Sequence, residues 1–164
     1  MEEKPYVYEN EWFEETNVLR KIREYLEAEG WEILKANEDK TQKGEDIRAS
    51  KNDKTLVVEV KGYPSDKYVK TTAKYKAGEK KPTKPKVQAG HWFAEALFEL
   101  EIRKSKEPNI QIALGLPLMK RYQNLLNGVE YVKDQLRITC YFSDENGKVS
   151  VVKPGNGGDE YSER

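Results

Sequence analysis

The sequence predicts an α/β fold, a mixed central sheet flanked by helices with a further helix and a β-hairpin at the C-terminal end. Three observations carry this. Apolar residues recur at helical spacing over residues 18–26, 89–100 and 122–132. Short β-branched or alternating runs lie between and after them, at 31–36, 46–50, 54–61, 110–117, 136–142 and 148–152. Glycine, proline and polar turn residues punctuate the runs, among them Gly30, Lys51-Asn52-Asp53, Gly62, Pro64 and Asn146-Gly147. The order is helix, three strands, a basic insertion, helix, strand, helix and a strand hairpin.

A chain of 164 residues suffices for one domain with a real core, expected over residues 1–153. Charged residues make up 35% of it, above the ~25% usual for soluble proteins. They balance to zero net charge, so only their distribution bears on nucleic acid. A single cysteine, Cys140, allows no intrachain disulfide and suits a reducing interior. Met1-Glu2-Glu3-Lys4-Pro5 does not resemble a signal peptide, and no apolar run approaches the ~20 residues that span a bilayer. The expectation is a cytoplasmic protein with no membrane partner.

Residues 1–9 read as an irregular lead-in anchored by Tyr6 and Tyr8. The first helix is expected from near Asn10 as N-cap, with Glu11, Glu14 and Glu15 in or near its first turns. Val18, Leu19, Ile22, Tyr25 and Leu26 form its apolar stripe, and Gly30 stops it. Glu15 extends that stripe. Such a carboxylate either meets solvent at the helix end or points into a site there.

The polar loop 37–45 leads, through a tight turn at Gly44, into a predicted hairpin of strands 46–50 and 54–61. Alternation puts Leu56, Val58 and Val60 on one face of the second strand and Thr55, Val57, Glu59 and Lys61 on the other. An antiparallel hairpin brings Asp46 near Glu59. Two carboxylates and a lysine at the end of a buried sheet are costly unless they hold a metal or a substrate. The plainer alternative is a cross-strand surface ion network.

Residues 66–86 carry eight lysines against two acids, with Tyr68 and Tyr75 interleaved. Gly78, Pro82 and Pro85 break any long period. Such a segment reads as a flexible insertion, either a solvated surface loop or a basic flap for phosphates through Lys67, Lys70, Lys74, Lys76, Lys80 and Lys81. A helix over 87–104 follows, with Ala89, Trp92, Phe93, Ala96, Leu97 and Leu100 as its stripe and Gln88, His91 and Glu95 adjoining. His91 lacks companion ligands and reads as a packing or partly exposed residue. The strand 110–117 is apolar enough to be buried on both faces. One helix from about Leu118 should hold Tyr122, Leu125, Leu126, Val129 and Val132 in register, weakened by Gly128. The last two strands turn at Asn146-Gly147, Cys140 packs as a small apolar group, and residues 154–164 are expected to be a disordered tail.

Asp46, twelve intervening residues and Glu59-Val60-Lys61 resemble the Asp…Glu-x-Lys signature of the PD-(D/E)XK (restriction-endonuclease-like) nuclease superfamily. The Gly-x-Asp-Ile and Val-Glu-Val-Lys-Gly contexts are nearest its resolvase-like and Mrr-like branches. The short motif alone has little specificity; element order over roughly residues 10–117 matches the α-β-β-β-α-β core of that fold. Glu45 stands between Gly44 and Asp46 where the family often has Pro or Gly directly before the aspartate, so Glu45 and Asp46 are both candidates. Asp46 is favoured because Ile47 and Ala49 alternate away from it.

The resemblance implies a metal-dependent nuclease acting on DNA, an endonuclease of repair, recombination or defence. Asp46, Glu59 and the Val60 carbonyl would hold Mg²⁺, with Mn²⁺ able to substitute. Lys61 would orient the attacking water or stabilise developing charge. By family analogy a first-helix acid, Glu15 or else Glu11, would help position the metal, and Gln88 would face the site. Relatives often pair, so a homodimer is a candidate state. The alternative is a catalytically silent nucleic-acid-binding module on the same fold.

Overall fold

The computed structural model describes residues 6–39, 41 and 43–155. Residues 1–5 of the expected lead-in and residues 156–164 of the expected tail lie outside the described residues. Among those described, six strands form one mixed sheet in sequence order: β1 Glu32–Ala36, β2 Ile47–Lys51, β3 Lys54–Val60, β4 Gln111–Pro117, β5 Thr139–Ser143 and β6 Val149–Val152. β1, β2 and β3 pair antiparallel, β3, β4 and β5 parallel, and β6 returns antiparallel to β5. Four helices accompany them: α1 Glu15–Ala28, α2 Pro85–Lys106, α3 Lys120–Gly128 and α4 Glu130–Gln135. Each parallel step needs a long crossover, supplied by α2 and then by α3 with α4. No helix is long and apolar enough to cross a membrane.

Helices cover both faces of the sheet. α1 places Val18, Leu19, Ile22 and Leu26 on Ile47, Leu56, Val58, Val60 and Ala113. α2 and α3 place Ala89, Phe93, Ala96, Leu100, Tyr122 and Leu126 on Val57, Ile112, Leu114 and Leu116. β4, apolar on both faces, is buried from Ile112 to Pro117, as a central parallel strand requires. A Cβ on Gly115 would come 2.5 Å from Ile22 Cδ1, so the glycine lets α1 lie close on the strand.

Several boundaries differ from expectation, each for a local reason. α1 begins at Glu15, because the Glu14 carboxylate accepts the Thr16 and Asn17 amides at 2.9 and 3.3 Å and serves as the N-cap. Asn10 instead closes a short 3₁₀ turn, Tyr8–Asn10. Gly30, at φ +88°, ends α1 in a Schellman motif: Trp31 N donates to Leu26 O and Gly30 N to Glu27 O, each at 3.0 Å. The single helix expected after Leu118 breaks at Val129 into α3 and α4. Val132 is consequently exposed and Lys133 is buried. β5 starts at Thr139 because Arg137 adopts φ +54° and Ile138 N turns back to Lys133 O.

Candidate active site

The site is built from a turn. Asn52 and Asp53 both have positive φ, 50° and 62°, the geometry of a type I′ turn whose twist suits two adjoining strands. It fixes the register of β2 on β3, from Lys51 opposite Lys54 to Ile47 opposite Val58. Asp46, one residue before β2, therefore arrives level with Glu59.

Its carboxylate is held there: Val60 N donates to Asp46 Oδ2 at 2.8 Å. The amide and carbonyl of one extended residue project to the same strand edge, so the Val60 carbonyl faces the side on which Asp46 lies. Glu59, only 7% exposed, lies on the α2 face of β3. Lys61 Nζ is 3.5 Å from Glu59 Oε1 and 3.6 Å from Glu95 Oε1 of α2. Lys61 N donates to Gly115 O at 3.0 Å, which carries the pairing with β4 past the last residue of β3.

Past Lys61 the chain is clamped to the start of α1. A Cβ on Gly62 would stand 2.6 Å from Glu15 N and 2.8 Å from Phe13 O, so only glycine permits the approach. Tyr63 N donates to Phe13 O at 2.8 Å, Tyr8 Oη to Tyr63 O at 2.7 Å, and the buried Tyr122 Oη to Gly62 O at 2.7 Å. Glu15 is thereby brought close enough for its charge to act on Lys61, whereas Glu11 acts on Tyr6 and Tyr8 instead.

Burial and crowding of like charge set the electrostatics. Desolvation pushes Glu59 up to about 8, reinforced by the Asp46 charge and only partly offset by Lys61. Desolvation also raises Asp46, against the Val60 amide and the Lys61 and Arg103 charges. Burial works against the Lys61 ammonium, but Glu59, Glu15, Glu95 and Asp46 outweigh it and raise its pKa. Two carboxylates that repel one another in a desolvated site are a natural seat for a cation.

The donor atoms at this end of β3 are all oxygens, the kind a hard divalent ion takes. Among the described residues no three His, Cys, Asp or Glu side chains form a ready-made metal cage. Mg²⁺ is characteristically held by one or two carboxylates while it keeps several waters. Asp46, Glu59 and the Val60 carbonyl would offer such an ion two carboxylates and one neutral oxygen.

The remaining candidates separate clearly. Glu45 is engaged by two arginines, Arg48 Nε at 2.5 Å and Arg103 at 3.2 Å, and Arg48 also spans both carboxylate oxygens of Glu107. Gln88 is half-buried near the start of α2, two turns or about 10 Å along the axis from Glu95. The residue of α2 that meets Lys61 is thus Glu95, which lies on the Gln88 stripe at i+7. His91 is exposed. Cys140 is buried, and burial pushes its thiol pKa far up.

Residues 66–81 of the basic insertion close on themselves, and residues 85–86 already belong to α2. Lys67 and Lys80 form a β-bridge, Lys81 N donates to Asp66 O, and Tyr68 N to Glu79 O. Tyr68 and Tyr75 stack with ring centroids 4.2 Å apart. Lys67, Lys70, Lys74, Lys76 and Lys80 are exposed, and Lys81 is half-buried. Between this hairpin and the start of α1 lies a cleft of about 700 Å³, bordered by Tyr68, Lys70 and Lys81 on one side and Glu14, Asn17 and Arg20 on the other.

No protein-family model matches the chain, and no curated protein matches it.

Proposed function

We propose that this chain is a metal-dependent nuclease hydrolysing phosphodiester bonds of DNA on a restriction-endonuclease-like core. The observation that carries this is the convergence of Asp46, Glu59 and Lys61 at the end of β3, with Asp46 fixed by the Val60 amide. The order α1-β1-β2-β3-α2-β4 supports it, as does the match of those residues to the Asp…Glu-x-Lys pattern.

Hydrolysis forms a bond from a water oxygen to phosphorus and breaks the bond to the leaving 3′ oxygen; the water's proton passes to bulk solvent, which also supplies the proton taken up by the 3′ oxygen. Mg²⁺, when bound, supplies charge neutralisation at the phosphate and acidifies a water. Asp46 and Glu59 would hold it with the Val60 carbonyl. Lys61, its pKa raised by the surrounding acids, stays an ammonium at neutral pH. It therefore acts as cation and hydrogen-bond donor toward the water or a phosphate oxygen, and not as a general base. Glu15 and Glu95 hold the Lys61 head in place by their charge. The lysines of the 66–81 hairpin hold flanking phosphates. Repair, recombination or defence is the proposed setting.

The test is incubation with plasmid, linear duplex, single-stranded and branched DNA and with RNA, in Mg²⁺, Mn²⁺ or chelator. Metal-dependent cutting of a DNA substrate is expected. Salt-sensitive binding without cutting in any metal would instead make the chain a silent binding module.

A further inference from the structure

α2 carries apolar groups on two sides. Ala89, Phe93, Ala96 and Leu100 are buried in the core. On the side turned away from them, Val87 and Phe98 are 49% and 64% exposed, and His91, Ala94, Glu101 and Ser105 are exposed with them. Positions 87, 91, 94, 98, 101 and 105 alternate spacings of four and three, the seam along which two helices pair. Charged residues make up 35% of the chain, yet Glu101 is the only carboxylate or ammonium on this seam. An outer helix face so poor in charge, with a phenylalanine at its centre, is a surface for a partner.

The seam is complementary to itself. Laid antiparallel on a second copy, about a two-fold axis level with residue 96, Phe98 falls on Ala94, a ring on a methyl group, twice in each pair. His91 falls opposite Glu101, and Val87 opposite Ser105. An imidazole carries at least one N–H in either protonation state, and a carboxylate accepts it. Ser105 Oγ donates to Glu101 Oε1 at 2.9 Å and holds that carboxylate on the seam. A parallel pair would instead set Glu101 against Glu101, a like-charge contact. The face thus supplies both halves of its own match, which singles out a second copy as its occupant.

We propose that α2 pairs antiparallel with α2 of a second copy of this chain, through Phe98 on Ala94 and His91 on Glu101. A helix of 22 residues is about 33 Å long and about 10 Å across. Such a face is smaller than the ~800 Å² that each partner of a standard stable complex covers, so the pair is weak and forms with rising concentration. Asp46, Glu59 and Lys61 take no part, and the pairing stands or falls independently of the nuclease reading.

The experiment is sedimentation velocity of the full chain over about 1 μM to 1 mM. The wild type should pass from monomer to a species of twice the mass. Phe98→Asp should remain a monomer throughout; its position is exposed, so the variant keeps its fold, as circular dichroism will check. His91→Glu should weaken pairing about tenfold or more, as like charges set opposite one another do. Adding Glu101→Lys to His91→Glu should restore it, which a residue outside the contact would not do. A wild type that stays monomeric over the whole range, a dimer that survives Phe98→Asp, or a double variant no better than His91→Glu overturns the proposal.

Discussion

Val60 donates its amide to Asp46 Oδ2 at 2.8 Å, and this one bond joins the residue before β2 to the end of β3. It holds the Asp46 carboxylate where its charge acts on Glu59, while the adjoining Glu45 is engaged by Arg48 and Arg103. The arrangement separates a charge role from a hydrogen-bond role at the same side chain.

Asp46→Asn keeps an oxygen for the Val60 amide and removes the charge. Asp46→Ala removes both and leaves a buried amide unsatisfied, which costs about 1–3 kcal/mol. Urea unfolding should therefore find the alanine variant the less stable of the two. Equal stabilities would mean that the bond to Val60 contributes nothing.

The burial of Glu59 predicts a pH dependence. A carboxyl raised from 4.5 to about 8 by folding binds its proton more tightly in the folded state. Its contribution to stability is full below the unfolded value and is lost as pH rises through the folded one. Asp46, also raised, acts in the same direction. Melting temperature in chelator should therefore fall between those two values. Glu59→Gln should flatten the slope, and Mg²⁺ should raise stability most at the alkaline end. A slope unchanged by Glu59→Gln would place the titrating group elsewhere.

Gly62→Ala tests the clamp between β3 and α1. Its Cβ would meet backbone atoms, Glu15 N and Phe13 O, that cannot swing aside as a flexible side chain would. Overpacking of this kind costs about 1–3 kcal/mol. Thermal unfolding should show that loss, and cleavage should drop with it as Glu15 moves from Lys61. A variant as stable and active as the wild type would show that the approach at Gly62 is not required.

The lysine hairpin should declare itself through salt. Changing Lys70, Lys74 and Lys76 to glutamine should lower the slope of log affinity against log salt by about 0.7–0.9 for each phosphate that is no longer neutralised. Binding isotherms at several salt concentrations measure it. An unaltered slope would leave the hairpin as a solvated surface.

Much of this could be read from local sequence. Lys51-Asn52-Asp53 between two alternating runs specified a hairpin, and the two-residue period put Glu59 and Lys61 on one face near Asp46. Pro85, read as a breaker, proved to be the first residue of α2, where its missing amide costs nothing. Other features depend on partners remote in sequence. Glu95 joins the cluster only because α2 crosses β3 where it does. Glu45 is set apart from Asp46 by Arg103, far along the chain. The choice of Glu14 over Asn10 as cap, and the break at Val129, were decided by hydrogen bonds that periodicity does not encode.

The most direct test of the central claim is to measure DNA binding and Mg²⁺-dependent cleavage side by side for the wild type, Asp46→Asn, Glu59→Gln and Lys61→Met. The account predicts that all four bind, and that each variant loses roughly 10²–10³ in cleavage rate, the scale on which preorganised charge stabilisation acts. Cleavage by the variants at the wild-type rate, or none by the wild type in Mg²⁺ or Mn²⁺, would contradict it.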